Sequence, residues 1–173
     1  MNNNKTIFLI GLPGSGKSVL SKLLAEKLNY ALYDTDLFIE KKENKTVTDI
    51  FAYNGEDYFR NIESEILEEL SSLNNAVIST GGGIVLYKKN REIMKKNGLT
   101  IFIDRDPNII LMNINTKERP LLSKDKNKLL ELSKQRDSLY REASHIVFEY
   151  NIWEDNIEDT FKKFYDFIKE YKI

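Results

Sequence analysis

A chain of 173 residues, 41% hydrophobic and 31% charged, is long enough to bury one sizeable core, and a single domain is expected. Its net charge of −1 gives no global field for nucleic acid or a membrane surface. No apolar run approaches the roughly 20 residues that span a bilayer. With no cysteine and one histidine, His145, a disulfide framework, a thiolate metal site and a His-rich metal cluster are all excluded. The polar opening Met-Asn-Asn-Asn-Lys lacks the apolar stretch of a secretory signal, so a cytoplasmic protein is expected.

The first apolar run, Thr6–Ile10, reads as a buried strand. It delivers the chain to Gly11-Leu12-Pro13-Gly14-Ser15-Gly16-Lys17-Ser18, a complete P-loop. The loop then opens a helix whose apolar positions Val19, Leu20, Leu23, Leu24 and Leu28 follow a helical period. Glycines let the backbone curl its N–H groups around phosphate oxygens, and the helix N-terminus adds a positive dipole end. Gly14, Ser15, Gly16, Lys17, Ser18 and Val19 are the expected nucleotide-binding segment. Lys17 reaches the β and γ phosphates, and Ser18 offers a hydroxyl to Mg²⁺.

Ala31–Asp34 is the weakest of the candidate strands. After it comes Asp34-Thr35-Asp36, read as extended, with both carboxylates on one side. Either one holds Mg²⁺ through water while the other orients an acceptor hydroxyl, or both cap a helix. A helix over Glu56–Leu73 places Phe59, Ile62, Ile66, Leu67, Leu70 and Leu73 on one stripe. Arg60, four residues after Glu56, reads on its own as an exposed helix arginine. Strand Ala76–Ser79 runs into Ser79-Thr80-Gly81-Gly82-Gly83, where backbone N–H groups can approach a small ligand and Ser79 or Thr80 can face a metal's water shell.

Thr100–Ile103 is the fourth candidate strand. The polar stretch Asn113–Asn127 reads as a mobile loop. Its Arg119 is either an arginine that swings over the γ phosphate or a solvated charge. Arg136, on a later helix, either clamps a carboxylate or decorates the surface. Strand Ile146–Glu149 and helix Asp155–Tyr171, with Ile157, Phe161, Phe164, Tyr165 and Ile168 on one face, close the chain. The alternation predicts an α/β fold: a doubly wound, five-stranded parallel sheet with helices on both faces and ligands beyond its carboxyl ends.

Taken together, these residues resemble the shikimate kinase family. The resemblance rests on Gly11–Ser18, Asp34-Thr35-Asp36, Gly55-Glu56-Asp57-Tyr58-Phe59-Arg60, Gly81-Gly82-Gly83, Arg119-Pro120-Leu121-Leu122 and Arg136-Asp137-Ser138-Leu139-Tyr140, in the family's order and at similar spacing. It implies ATP-dependent phosphorylation of the shikimate 3-hydroxyl on the route to aromatic amino acids. It implies that Asp36 holds ring hydroxyls and assists deprotonation, that Arg60 and Arg136 hold the acid's carboxylate, and that Gly82 contacts the acid through its backbone. Lys17 and Arg119 then stabilise the transferring phosphoryl group. Ser18 ligates Mg²⁺, and Asp34 supports it through water. A lid over about 113–127 and an acid-binding subregion over about 34–62 are expected to close on the ligands. The expected partners are shikimate and ATP, with neither nucleic acid nor membrane, and the expected state is a monomer.

Two positions depart from the family pattern. Where many relatives carry an adenine-stacking arginine, this chain has Ile110-Leu111-Met112, and after the last strand it has Asn151-Ile152-Trp153. Leu111 and Trp153 are the candidate adenine contacts, although Trp153 is equally suited to packing the final helix. The nearest rivals are a gluconate kinase and a nucleoside monophosphate kinase. A non-catalytic ATP-binding module is the rival from another class, and the presence of Lys17, Ser18 and Arg119 speaks against it.

Overall fold

The computed structural model describes residues 6–113, 126–151 and 156–171. Five strands form one sheet in the order β2-β3-β1-β4-β5: β1 is Thr6–Ile10, β2 Ala31–Asp34, β3 Ala76–Ser79, β4 Gly98–Asp104 and β5 Ile146–Glu149. Every pairing is parallel, with Leu9 opposite Ser79 on one side and Ile101 on the other. The expected doubly wound architecture is therefore the one observed. The fourth strand is longer than its apolar core, since Gly98, Leu99 and Asp104 also pair.

Side chains alternate across the central strand. Ile7 and Leu9 enter one core with Leu20 and Leu24 of α1 (Lys17–Leu28) and Phe164 and Ile168 of α8 (Ile157–Lys169). Phe8 and Ile10 enter the other. That core takes in Ile39 of α2 (Thr35–Glu43), Ile50 of α3 (Val47–Asn54), and Phe59, Ile62, Ile66, Leu67 and Leu70 of α4 (Glu56–Ser71). It also holds Met94 of α5 (Lys88–Asn97), Ile110 of α6 (Pro107–Asn113), and Leu129, Tyr140 and Ala143 of α7 (Lys126–Ala143). A sheet buried on both faces needs strands that are apolar on both faces, and β1 is buried at all five positions. The edge strand β2 is only half covered, so its sequence signal is weak.

The helices start and stop for local reasons. Asn29 takes a left-handed conformation after α1, and its N–H closes onto the Ala25 and Glu26 carbonyls. Thr46 and Asn156 cap α3 and α8 through their side chains. Val19 shares the helical period of α1 yet is 48% exposed, at the loop end of the helix. Asn113, Lys126 and Asn127 belong to helices, so the expected lid is trimmed at both ends. Its remainder, with Arg119, lies outside the described residues, as does Trp153. Among the described residues no helix is long and apolar enough to cross a membrane.

Candidate active site

Parallel pairing brings the carboxyl ends of β1, β2 and β3 to one side of the sheet. The P-loop leaves β1 there. Gly14 and Gly16 take positive φ values of 84° and 99°, which an L side chain resists. Gly16 is the N-cap of α1 and brings no side chain to its N–H groups, and no acidic residue sits in the first turn. The N–H groups of that turn therefore remain available to an anion. The Lys17 ammonium is buried across the loop, donating to the carbonyls of Gly11 (2.9 Å) and Leu12 (2.8 Å). The Ser15 hydroxyl is buried in the same loop without a partner among the described residues.

At the end of β2 the structure corrects one expectation. Asp34 and Asp36 do not lie in one extended segment, because Asp36 is already in the first turn of α2. Asp34 is its N-cap, and Oδ1 accepts from the N–H groups of Asp36 (3.0 Å) and Leu37 (3.3 Å). The capping alternative thus holds for Asp34 and not for Asp36. Asp36 turns inward, with Oδ1 buried and unpartnered among the described residues. Burial first, and Asp34 second, raise its pKa from 3.8 to about 6, against the opposing pull of Lys17 and Arg60.

Arg60 is not the exposed helix arginine that its sequence context suggests. It is 7% exposed and donates from Nη1 to the fully buried Glu63 at 2.7 Å. Its Nε and Nη2 both reach Oε1 of Glu56 at 3.2 Å. These partners differ in kind. Breaking a buried pair by removing one member costs about 3–5 kcal/mol. An exposed pair one helical turn apart contributes about 0.3–0.5 kcal/mol, and the Glu56 side chain is 58% exposed. Glu63 therefore fixes the guanidinium, and Glu56 merely rests on it. Desolvation works against the Arg60 charge, but Glu63 and Glu56 outweigh it and hold its pKa up. Burial pushes Glu63 up to about 7, partly offset by Arg60.

The three glycines after β3 explain themselves by close approach. A Cβ on Gly81 would stand 2.6 Å from Asp36 Oδ1 and 3.1 Å from Glu63 Oε1. One on Gly82 would meet Pro13 Cδ of the P-loop at 2.8 Å. One on Gly83 would lie 2.3–2.4 Å from Nη1, Nη2 and Cζ of Arg60, and such equal distances set the face of the guanidinium against Gly83. The N–H of Gly81 donates to the Thr35 hydroxyl at 2.9 Å. Of Ser79 and Thr80, the two candidates for a metal's water shell, Thr80 spends its hydroxyl and N–H on the Leu9 carbonyl, at 2.9 and 3.2 Å, tying β3 to β1. From α7, Arg136 Nη1 (3.0 Å) and the Tyr140 hydroxyl (2.5 Å) both donate to the Gly82 carbonyl. Burial raises the Tyr140 pKa to about 12, so it keeps the proton it donates.

The triple-glycine turn thus gathers Asp36, Arg60, Glu63, Arg136 and the P-loop at one place. Two guanidinium groups and a carboxylate next to a phosphate cradle suit a small hydroxy acid beside a nucleoside triphosphate. The family model described as shikimate kinase matches residues 13–169. The chain belongs to the shikimate kinase family. It is 42% identical over 157 residues, 91% of this chain and 94% of the relative, to the shikimate kinase of Clostridium botulinum (strain Eklund 17B / Type B). It resembles the solved shikimate kinase from Acinetobacter baumannii in complex with shikimate, with a TM-score of 0.88 and 35% identity over 98% of this chain and 96% of that one. The shikimate kinase from Bacteroides thetaiotaomicron aligns with a TM-score of 0.87 and 31% identity over 95% and 98%. Kinases of this family are ATP-dependent.

Within this family member, sequence reasoning missed Glu63, Thr35 and Tyr140 as site-building residues. Glu63 had a signal: it stands beside the apolar stripe of α4, between Ile62 and Ile66, where a carboxylate needs a buried partner. Leu111, a candidate for the adenine, is half-buried on α6 and packs against the second core.

Proposed function

We propose that this chain transfers the γ-phosphoryl group of ATP to the 3-hydroxyl of shikimate. One observation carries the reading: Asp36, Arg60 and Arg136 meet around Gly81–Gly83, and Gly82 packs on Pro13 of the P-loop. The likeness to the Acinetobacter baumannii shikimate kinase, solved in complex with shikimate, supports it.

In this reading Arg60 and Arg136 hold the acid's carboxylate, and Gly82 contributes its backbone. Asp36 accepts the hydrogen bond of the reacting hydroxyl. The hydroxyl oxygen bonds to the γ phosphorus as the bond to the β–γ bridging oxygen breaks. The hydroxyl proton passes to Asp36, and ADP leaves. Lys17 moves from the Gly11 and Leu12 carbonyls to the phosphates, and Arg119 completes the charge on the transferring group. The hydroxyl of Ser18, an exposed residue in the first turn of α1, and the second oxygen of Asp34, acting through water, are hard oxygen donors that suit Mg²⁺. When bound, Mg²⁺ neutralises charge on the β and γ phosphates. Positioning and charge neutralisation supply most of the rate, so a pocket this fixed is what the chemistry needs.

The test is a coupled assay of ADP release with ATP and shikimate, gluconate or CMP as acceptor. Shikimate-dependent release is expected, with the other two near background. Release driven equally by gluconate or CMP, or independent of any acceptor, overturns the assignment.

A further inference from the structure

Arg60 carries five N–H donors in a rigid plane. Its Nε and Nη2 form the edge that a carboxylate grips with two parallel hydrogen bonds. Here one oxygen of Glu56 spans that edge, at 3.2 Å from each nitrogen. A single shared oxygen is a poorer partner than a free carboxylate that gives one oxygen to each donor. The arginine itself is held. Glu63 fixes Nη1 at 2.7 Å, Gly83 lies against the guanidinium face, and the rings of Phe59 and Phe51 stand 5.2 and 5.8 Å from Cζ. Of the two carboxylates on Arg60, only Glu56 has a route into solvent, because Glu63 is fully buried.

We propose that Glu56 is an internal occupant of the carboxylate place on Arg60, displaced when the acid binds. The inference rests on the reading of Arg60 as the acid's clamp. It makes Glu56 a specificity-determining residue that acts through Arg60. A carboxylate entering the pocket replaces one weak charge-assisted contact by a better one. A neutral analogue has nothing to offer Arg60 and must leave Glu56 in place, so the contact discriminates in favour of acids.

Calorimetric titration of shikimate into the whole chain tests this, with folding of each variant checked by its melting temperature. Glu56→Gln weakens the competitor and is expected to tighten shikimate about threefold, the size of an exposed ion pair. Asp57→Asn removes a neighbouring exposed charge that does not touch Arg60, and it should leave the affinity within the error of the parent. Equal tightening by Asp57→Asn would make the effect a general field and overturn the proposal. So would unchanged or weaker binding in Glu56→Gln. Arg60→Lys keeps a cation beside Glu63 but loses the fork, so it should bind shikimate more weakly, and adding Glu56→Gln to it should bring no gain. Parental affinity in Arg60→Lys would refute the clamp and the inference together. Weak binding in Arg60→Lys without tightening in Glu56→Gln would refute the inference alone. A merely structural role for Glu56 predicts loss of affinity, the opposite sign.

Discussion

Gly83 has no room for even one methyl group. A Cβ there would fall 2.3 Å from two nitrogens of Arg60, and that arginine is locked by Glu63. Gly83→Ala must therefore push the guanidinium aside or unseat the turn. The expected outcome is a rise of about tenfold or more in KM for shikimate, with KM for ATP within about twofold, because the P-loop contact belongs to Gly82. Steady-state kinetics with each substrate varied in turn checks it, and parallel loss of both affinities would contradict it. At this scale the sequence was legible in type more than in placement. Lys17, the glycines and the two carboxylates could be marked from spacing. The burial of Arg60 was harder to see, since its only local sign was Glu63, one helical turn on and beside the apolar stripe. Asp36 was marked for a wrong reason: it points inward from a helical turn, not along an extended strand.

Helix α2 begins where β2 ends, and Asp34 is the hinge between them. Losing such a cap costs about 1 kcal/mol, because two N–H groups of the first turn lose their acceptor. Asp34→Asn keeps an acceptor oxygen and removes the charge, whereas Asp34→Ala removes both. If Asp34 serves only as a cap, Asn restores stability and activity alike. The proposed role beside Mg²⁺ predicts a split instead: Asn recovers the urea midpoint, while the Mg²⁺ concentration needed for half-maximal activity stays raised. Elements were the most readable level of the chain. Strands β1, β3 and β4 declared themselves because both sheet faces are buried and each strand carries an unbroken apolar stretch, Ile7–Ile10, Ala76–Ile78 and Ile101–Ile103. Boundaries were less readable. Gly98 and Asp104 pair in β4 although neither is apolar, because backbone hydrogen bonds extend past the part of the strand that the core needs.

Across the whole molecule, the buried carboxylates give stability an unusual dependence on pH. Asp36 is raised from 3.8 to about 6 and Glu63 from 4.5 to about 7, in each case chiefly by burial. An acid with a raised native pKa binds its proton more tightly folded than unfolded. Its cost is absent below the unfolded value, grows as pH rises through the window between the two values, and is complete above the native one. Urea midpoints are therefore expected to fall between about pH 4 and about pH 7, and the fall should be shallower in Glu63→Gln, even though that variant is less stable throughout. A slope identical to the parent's would show that Glu63 does not titrate in this range. The depth at which Asp36 and Glu63 are buried is set by elements far apart in sequence, the turn at Gly81 approaching both.

The turn at Gly82 touches Pro13 from 69 residues upstream and receives Arg136 from 54 residues downstream. Such a junction cannot exist in a nascent fragment. It comes into being only after parallel strands of large sequence separation have found their register, a slow kind of search. Phosphoryl transfer is thus a late and all-or-none reporter of refolding, and recovery of turnover after dilution from denaturant should lag behind recovery of helical circular dichroism.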